Sequence, residues 1–168
     1  SPGKYEETIF LPNYTSLIGE GVDNTIIKLT SGGSSSIDNS LIRVSGNTNI
    51  KNLNIELDAN GENNVTGIYS SNVNITLENL KITDSGTSST SNTIGVYLEE
   101  SNNINLKNVN INFDLGTGSC IGTYLNNISS DLLLTNLDIN LSSNSTNNYG
   151  IYLNSYFDNL IQNCNIEV

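Results

Sequence analysis

A five-residue phrase returns along the chain at a nearly constant interval. It reads Asn52-Leu53-Asn54-Ile55-Glu56, then Asn79-Leu80-Lys81-Ile82-Thr83, Asn108-Val109-Asn110-Ile111-Asn112, Asn136-Leu137-Asp138-Ile139-Asn140 and Asn163-Cys164-Asn165-Ile166-Glu167, with a looser copy at Asn24-Thr25-Ile26-Ile27-Lys28. The leading residues Asn24, Asn52, Asn79, Asn108, Asn136 and Asn163 are 27 to 29 residues apart. A fixed period of that length marks stacked units, each burying its apolar face against its neighbours.

Each period resolves into three short apolar-alternating runs. The first is Leu41-Ile42-Arg43-Val44 and its copies beginning at Gly67, Gly95, Gly122 and Gly150. Alternation turns Ile42, Ile68, Val96, Thr123 and Ile151 inward, along with Val44, Leu98, Leu125 and Leu153, with Ser70 the exception. Arg43, Tyr69, Tyr97, Tyr124 and Tyr152 then point outward and stack. The second run ends in inward Ile50, Leu77, Leu106, Leu134 and Ile161. The residue after it places Asp23, Lys51, Glu78 and Lys107 in a column of alternating sign, one strand spacing of roughly 4.8 Å apart. The third run carries Leu53/Ile55 and its equivalents inward. Between the second and third runs alternation slips by one residue, which demands a bend at the Asn. Asparagine tolerates the left-handed conformation, and stacked Asn side chains can hydrogen-bond between turns, so the Asn column is read as structural.

The polar segment 30–40 and the segments 58–66, 84–93, 114–119 and 142–148 read as loops. A hydrophobic content of 36% suits a slender stack better than one central core. The net charge of −11 and the absence of His argue against nucleic acid and anionic membranes as partners, and no apolar run is long enough for membrane insertion. Cys164 occupies a slot held elsewhere by Leu or Val and reads as a small buried hydrophobe; Cys120 sits at a loop end. Six Asn-x-Ser/Thr sequons, at Asn13, Asn64, Asn74, Asn127, Asn140 and Asn144, are about what so much Asn, Ser and Thr produces by chance.

Near the N-terminus the chain carries Pro2-Gly3-Lys4-Tyr5-Glu6-Glu7, Gly19-Glu20-Gly21 and Thr25-Ile26-Ile27. This resembles the opening turn of the right-handed parallel β-helix, pectate-lyase-like superfamily, which includes pectate lyases, pectin methylesterases and phage tailspikes. The resemblance implies right-handed coiling. With the repeat, the expected fold is all-β: a single-stranded parallel β-helix solenoid of about six rungs and three parallel sheets. Residues 1–168 form one domain, with 1–29 as the first rung and 41–168 as the regular rungs. The chain stops where a third strand should end, with no capping repeat, which reads as a segment of a longer chain or one capped by a partner.

The catalytic signatures that the resemblance would bring do not align. The Asn-Thr-Asp, Asp-Asp and Gly-His-Gly signatures of polygalacturonase-like hydrolases do not occur. The only Arg, Arg43, has no acidic cluster beside it, and the only Gln, Gln162, has Thr135 and Lys107 as column neighbours. A glycosidase needs two carboxyl groups facing one bond. Glu99 and Glu100 are consecutive and point apart, and Asp84, Asp114, Asp131 and Asp158 read as solvated loop acids. No metal site and no cofactor is expected.

The outward Tyr69, Tyr97, Tyr124 and Tyr152 form an aromatic stripe roughly 15 Å long on which sugar rings could stack, with Arg43 and Glu99 as further candidate glycan contacts. The competing reading is structural, because Tyr favours strands and stacked aromatics stabilise them. The expected function is a non-enzymatic structural or surface-recognition module, resembling the solenoid of a viral tail spike or fibre or a cell-surface adhesin. Its expected partners are a surface polysaccharide or glycan, a homotrimer, or a larger particle onto which it docks. Its expected place is extracellular, on a cell or virion surface. The alternative is a polysaccharide-degrading lyase or glycoside hydrolase whose active residues lie outside this segment.

Overall fold

The computed structural model describes residues 2–29, 40–58, 64–84, 86, 92–116, 118–145, 147–155 and 159–168. The strands are β1 (Gly3–Glu6), β2 (Ile9–Leu11), β3 (Ser16–Ile18), β4 (Thr25–Lys28), β5 (Ser40–Val44), β6 (Thr48–Leu57), β7 (Val65–Ser71), β8 (Asn74–Asp84), β9 (Thr93–Glu99), β10 (Asn102–Asp114), β11 (Cys120–Ile128), β12 (Leu132–Ser142), β13 (Tyr149–Ser155), β14 (Asn159–Gln162) and β15 (Asn165–Glu167). No helix occurs among the described residues. Every strand pairing is parallel, so the molecule is an all-β parallel solenoid.

Two sheets run the length of the stack. One has the order β2-β5-β7-β9-β11-β13. The other follows β1-β4-β6-β8-β10-β12-β14, with β3 also pairing β6 and β15 also pairing β12. The second and third runs of each period were expected in separate sheets. Here they share one sheet, and in β6, β8, β10 and β12 they form one continuous bent strand, because the backbone ladder carries on past the bend. Four turns are complete, from β5–β6 to β11–β12, and a turn of shorter strands lies at each end.

The bend falls where alternation slips. Asn52, Asn79, Asn108, Asn136 and Asn163 all have positive φ, between 52° and 58°. Asn79 Nδ2 donates to Asn52 Oδ1 (3.0 Å), Asn108 to Asn79 (2.9 Å) and Asn136 to Asn108 (2.9 Å). Each side chain therefore satisfies the turn beside it while its backbone makes the corner. Asn24 does not join them: its φ is not positive, and its amide donates to Glu20 O at 3.3 Å. In this first turn Gly19 and Gly21 approach the Asn52 corner instead, their N–H groups donating to Lys51 O and Asn52 O.

A second corner, between the two sheets, was not anticipated. Asn72, Glu100 and Asn127 have φ of 57°, 49° and 55°, and each comes directly after one of the register partners Ser71, Glu99 and Asn126. Here Asn72 Nδ2 donates to Glu100 Oε2 at 3.2 Å.

The core is the inward set that alternation identifies. Ile42, Ile50, Leu53, Ile55, Ile68, Leu77, Ile82, Val96, Leu98, Leu106, Ile111, Leu125, Leu134 and Ile139 are all fully buried. Ser70 is also buried, and its hydroxyl donates to Val44 O at 3.0 Å. The last turn departs from this pattern: Ile151 and Leu153 are partly buried, and Ile161 and Ile166 are exposed. Cys164 is accordingly half-buried rather than enclosed, while Cys120 is fully buried at the start of β11, and both are free thiols. Burial, with the Asp84 charge nearby, pushes the Cys120 thiol up to about 11.

A column of glycines keeps the first strands close to the bent sheet. A Cβ on Gly67, Gly95 or Gly122 would lie 2.6 Å from the carbonyl oxygen of the glycine in the next turn of its own sheet, and 3.4, 3.1 and 2.7 Å from Ile82, Ile111 and Ile139 of the bent sheet. The position after each of these glycines carries a core Ile, Val or Thr, so the strands could not draw back without opening the interior.

Of the charge column, Lys51, Glu78 and Lys107 are in register. Glu78 binds Lys51 at 2.7 Å and Lys107 at 3.4 Å, and the Lys51 contact holds its carboxyl below the usual range. Asp23 is not part of the column, because Ile18 of β3 is the neighbour of Lys51. Asp84 is not a solvated loop acid. It is buried at the end of β8, accepting from Thr93 Oγ1 (2.8 Å) and Gly86 N (2.9 Å). Asp114 and Asp131 are exposed. Asp158 and much of the expected loop sequence lie outside the described residues.

Candidate functional site

The tyrosine column exists as a register fact. Arg43, Tyr69, Tyr97, Tyr124 and Tyr152 are successive partners across β5, β7, β9, β11 and β13. Alternation sends them out of the core while Ile68, Val96 and Thr123 go in.

Their ring geometry is not the expected flat stripe. Tyr69 and Tyr97 meet edge to face at 5.4 Å and 73°, and Tyr97 and Tyr124 at 4.8 Å and 79°. Only Tyr124 and Tyr152 stack, at 4.5 Å and 4°. Rings stacked along the solenoid axis cover one another's faces and offer solvent their edges. The open end of the column is Tyr152, 37% exposed, with Tyr149 beside it at 6.1 Å and 47% exposed.

At the other end of the tyrosines, Tyr69 is tied down, while Phe10, the partner of Arg43 on β2, is 60% exposed. Tyr69 is 9% exposed, and the Arg43 guanidinium lies 5.9 Å from its ring centre. Glu99 lies two residues beyond Tyr97 on the same face. It accepts from the Tyr69 hydroxyl on Oε1 (2.5 Å) and from the Tyr97 hydroxyl on Oε2 (3.1 Å). Burial and then the Glu99 hydrogen bond push the Tyr69 phenol up to about 12; burial and the Glu99 charge push Tyr97 up as well. Both phenols are therefore neutral donors across the physiological range, not nucleophiles or bases. Glu99 braces the column from below. Its contact with Tyr97 was legible as an i, i+2 spacing; its reach to Tyr69 depends on register.

A separate feature lies on the other sheet. A groove of about 520 Å³ is lined by Tyr14, Ile75 and a set of amide and hydroxyl side chains. Tyr14 is 82% exposed and has a φ of 62°. It falls outside the repeat, so periodicity gave no reason to single it out. No group of three or more potential metal-ligating side chains occurs among the described residues.

The chain matches no protein-family model, and comparisons with curated proteins and with solved structures give no significant match either.

Proposed function

We propose that this chain is a non-enzymatic surface-recognition module, a rigid rod of the kind found in viral tail spikes, viral fibres and cell-surface adhesins, acting outside the cell. In this reading the rod coils right-handedly, as in the pectate-lyase-like superfamily, and contacts a surface glycan. The observation that carries the reading is the locked register. Parallel pairing repeats outward side chains at one strand spacing over four complete turns, and the Asn ladder fixes each turn to the next. Such a surface suits a repetitive ligand held at several points. On the six-stranded sheet the exposed aromatics are Phe10 at one end and Tyr149 with Tyr152 at the other; in this reading a sugar ring approaches the end where Tyr149 and Tyr152 lie side by side.

The test is binding to a glycan array by the chain and by a Tyr149→Ala/Tyr152→Ala double variant, with a parallel screen for reducing sugars and unsaturated uronides against a polysaccharide panel. Binding weakened in the double variant, with no product released, supports the proposal. Product release by the purified chain overturns the non-enzymatic reading. Binding unchanged in the double variant removes the tyrosine end from the contact.

A further inference from the structure

We infer that the Tyr14 groove on the nine-stranded sheet is a binding site for uncharged oligosaccharide. The inference does not rest on the tyrosine column, which belongs to the other sheet. Its first ground is strain. A left-handed backbone is easy for Gly and tolerable for Asn, but it is an outlier for a bulky aromatic residue. Tyr14 holds this conformation with its N–H donating to Asn47 O at 2.9 Å and its ring in solvent. The ring contributes little to the core there, so stability does not account for an aromatic residue at that position. Strain kept without a packing return gathers at functional positions.

The second ground is the lining. Ser16, Asn49 and Thr76 are register partners on β3, β6 and β8, so they stand in a row one strand spacing apart. Beside them Asn103, with a φ of 44°, donates from Nδ2 to Asn74 Oδ1 at 3.1 Å, which orients both amides along the groove edge. Amides and hydroxyls both donate and accept, matching the paired hydroxyls of a sugar.

The third ground is charge. The chain carries −11, yet no described residue lining this groove is charged. An anionic ligand would find no cation here and an acidic protein around it, whereas a neutral one incurs no such cost. The volume falls within the range of ordinary small-ligand sites. One exposed aromatic face beside rows of neutral hydrogen-bonding groups is the chemistry of a sugar ring's C–H face and its hydroxyl rim.

The experiment is an array of hexose, deoxyhexose and N-acetylhexosamine oligomers, with oligogalacturonate as the charged control. It is followed by titration calorimetry on any ligand found. Tyr14→Asn removes the ring while suiting the backbone, so the fold is retained; Asn49→Lys places a long charged side chain in the groove from an exposed position. The expected result is an uncharged oligomer whose binding is weakened about tenfold or more by each groove variant and unchanged by Tyr152→Ala, as a ligand separate from any that the Tyr149→Ala/Tyr152→Ala variant weakens, a tenfold loss being the scale of one good contact. Absence of any uncharged ligand overturns the inference. Preference for oligogalacturonate, or undiminished binding by either groove variant, also overturns it. Loss with Tyr152→Ala alone overturns the groove while supporting the tyrosine column.

Discussion

Asn108 separates two contributions that the ladder combines. Its side chain donates to Asn79 and accepts from Asn136, both at 2.9 Å, and its φ is 53°. Both hydrogen bonds are exposed, so each is assigned the low end of the usual range, about 0.5 kcal/mol. Asn108→Gly loses both bonds, about 1 kcal/mol, and gains unfolded-chain entropy worth about 0.5 kcal/mol, but it keeps the bend at no steric cost. Asn108→Ala loses the same bonds and must also hold a left-handed backbone, a further 1–2 kcal/mol or so. The expected destabilisation is therefore about 1.5 kcal/mol for Gly and about 2.5 kcal/mol for Ala. Urea unfolding followed by circular dichroism measures both, and equal slopes would confirm that the same unit unfolds in each protein. A Gly variant as unstable as the Ala variant would show that the corner is not under conformational demand. Two neutral variants would refute the whole account of the ladder.

Gly122→Ala places a Cβ 2.6 Å from Gly150 O and 2.7 Å from Ile139 Cγ2, and overpacking of that kind typically costs about 1–3 kcal/mol, read as a lower urea midpoint. Glu100→Asn should stabilise the fold by up to about 1 kcal/mol, because Asn accepts a φ of 49° more readily than Glu, and thermal melts will show the gain. The Tyr69 phenol is raised from 10.0 to about 12, so the folded chain holds its proton more tightly than the unfolded one. Its contribution is complete below pH 10 and is lost as the pH rises to about 12, and Tyr69→Phe should flatten that alkaline loss. Glu78 is the opposite case: its folded value is depressed, so its contribution is present above the ordinary Glu range and lost as acid protonates it. Glu78→Gln should remove that acid-side dependence in unfolding curves taken at low salt.

The parallel stack could be read from sequence because the period, the alternation and the Asn slip are all local patterns. Inward Ile50, Leu77, Leu106 and Leu134 were identifiable one residue at a time, and each is fully buried. What could not be read depended on how turns meet. The joining of two expected sheets into one depends on whether the backbone ladder survives a bend, which no side-chain pattern encodes. Asp23 was placed beside Lys51 by counting back from Asn24, but the first turn reaches β6 through β3 and sets Ile18 there instead. Ring tilt in the tyrosine column is a packing outcome, so the stripe was visible and its edge-to-face geometry was not. Tyr14 lies in the irregular first turn, where there is no periodic signal to depart from.

The two corners differ in how strictly they count residues. Register passes through the Asn52, Asn79, Asn108 and Asn136 positions without a slip, so an insertion there would turn the inward side chains of the run that follows to the other face. At the other corner the pairing skips Asn103 between β8 and β10, and skips Asn127 between β11 and β13. Each skipped asparagine absorbs its extra residue in a left-handed kink, and the interior above and below stays aligned. One edge of the rod is therefore a fixed ruler and the other an adjustable seam. Because Asn103 borders the Tyr14 groove, the seam allows the contour of that groove to change length from turn to turn while the hydrophobic interior stays in step.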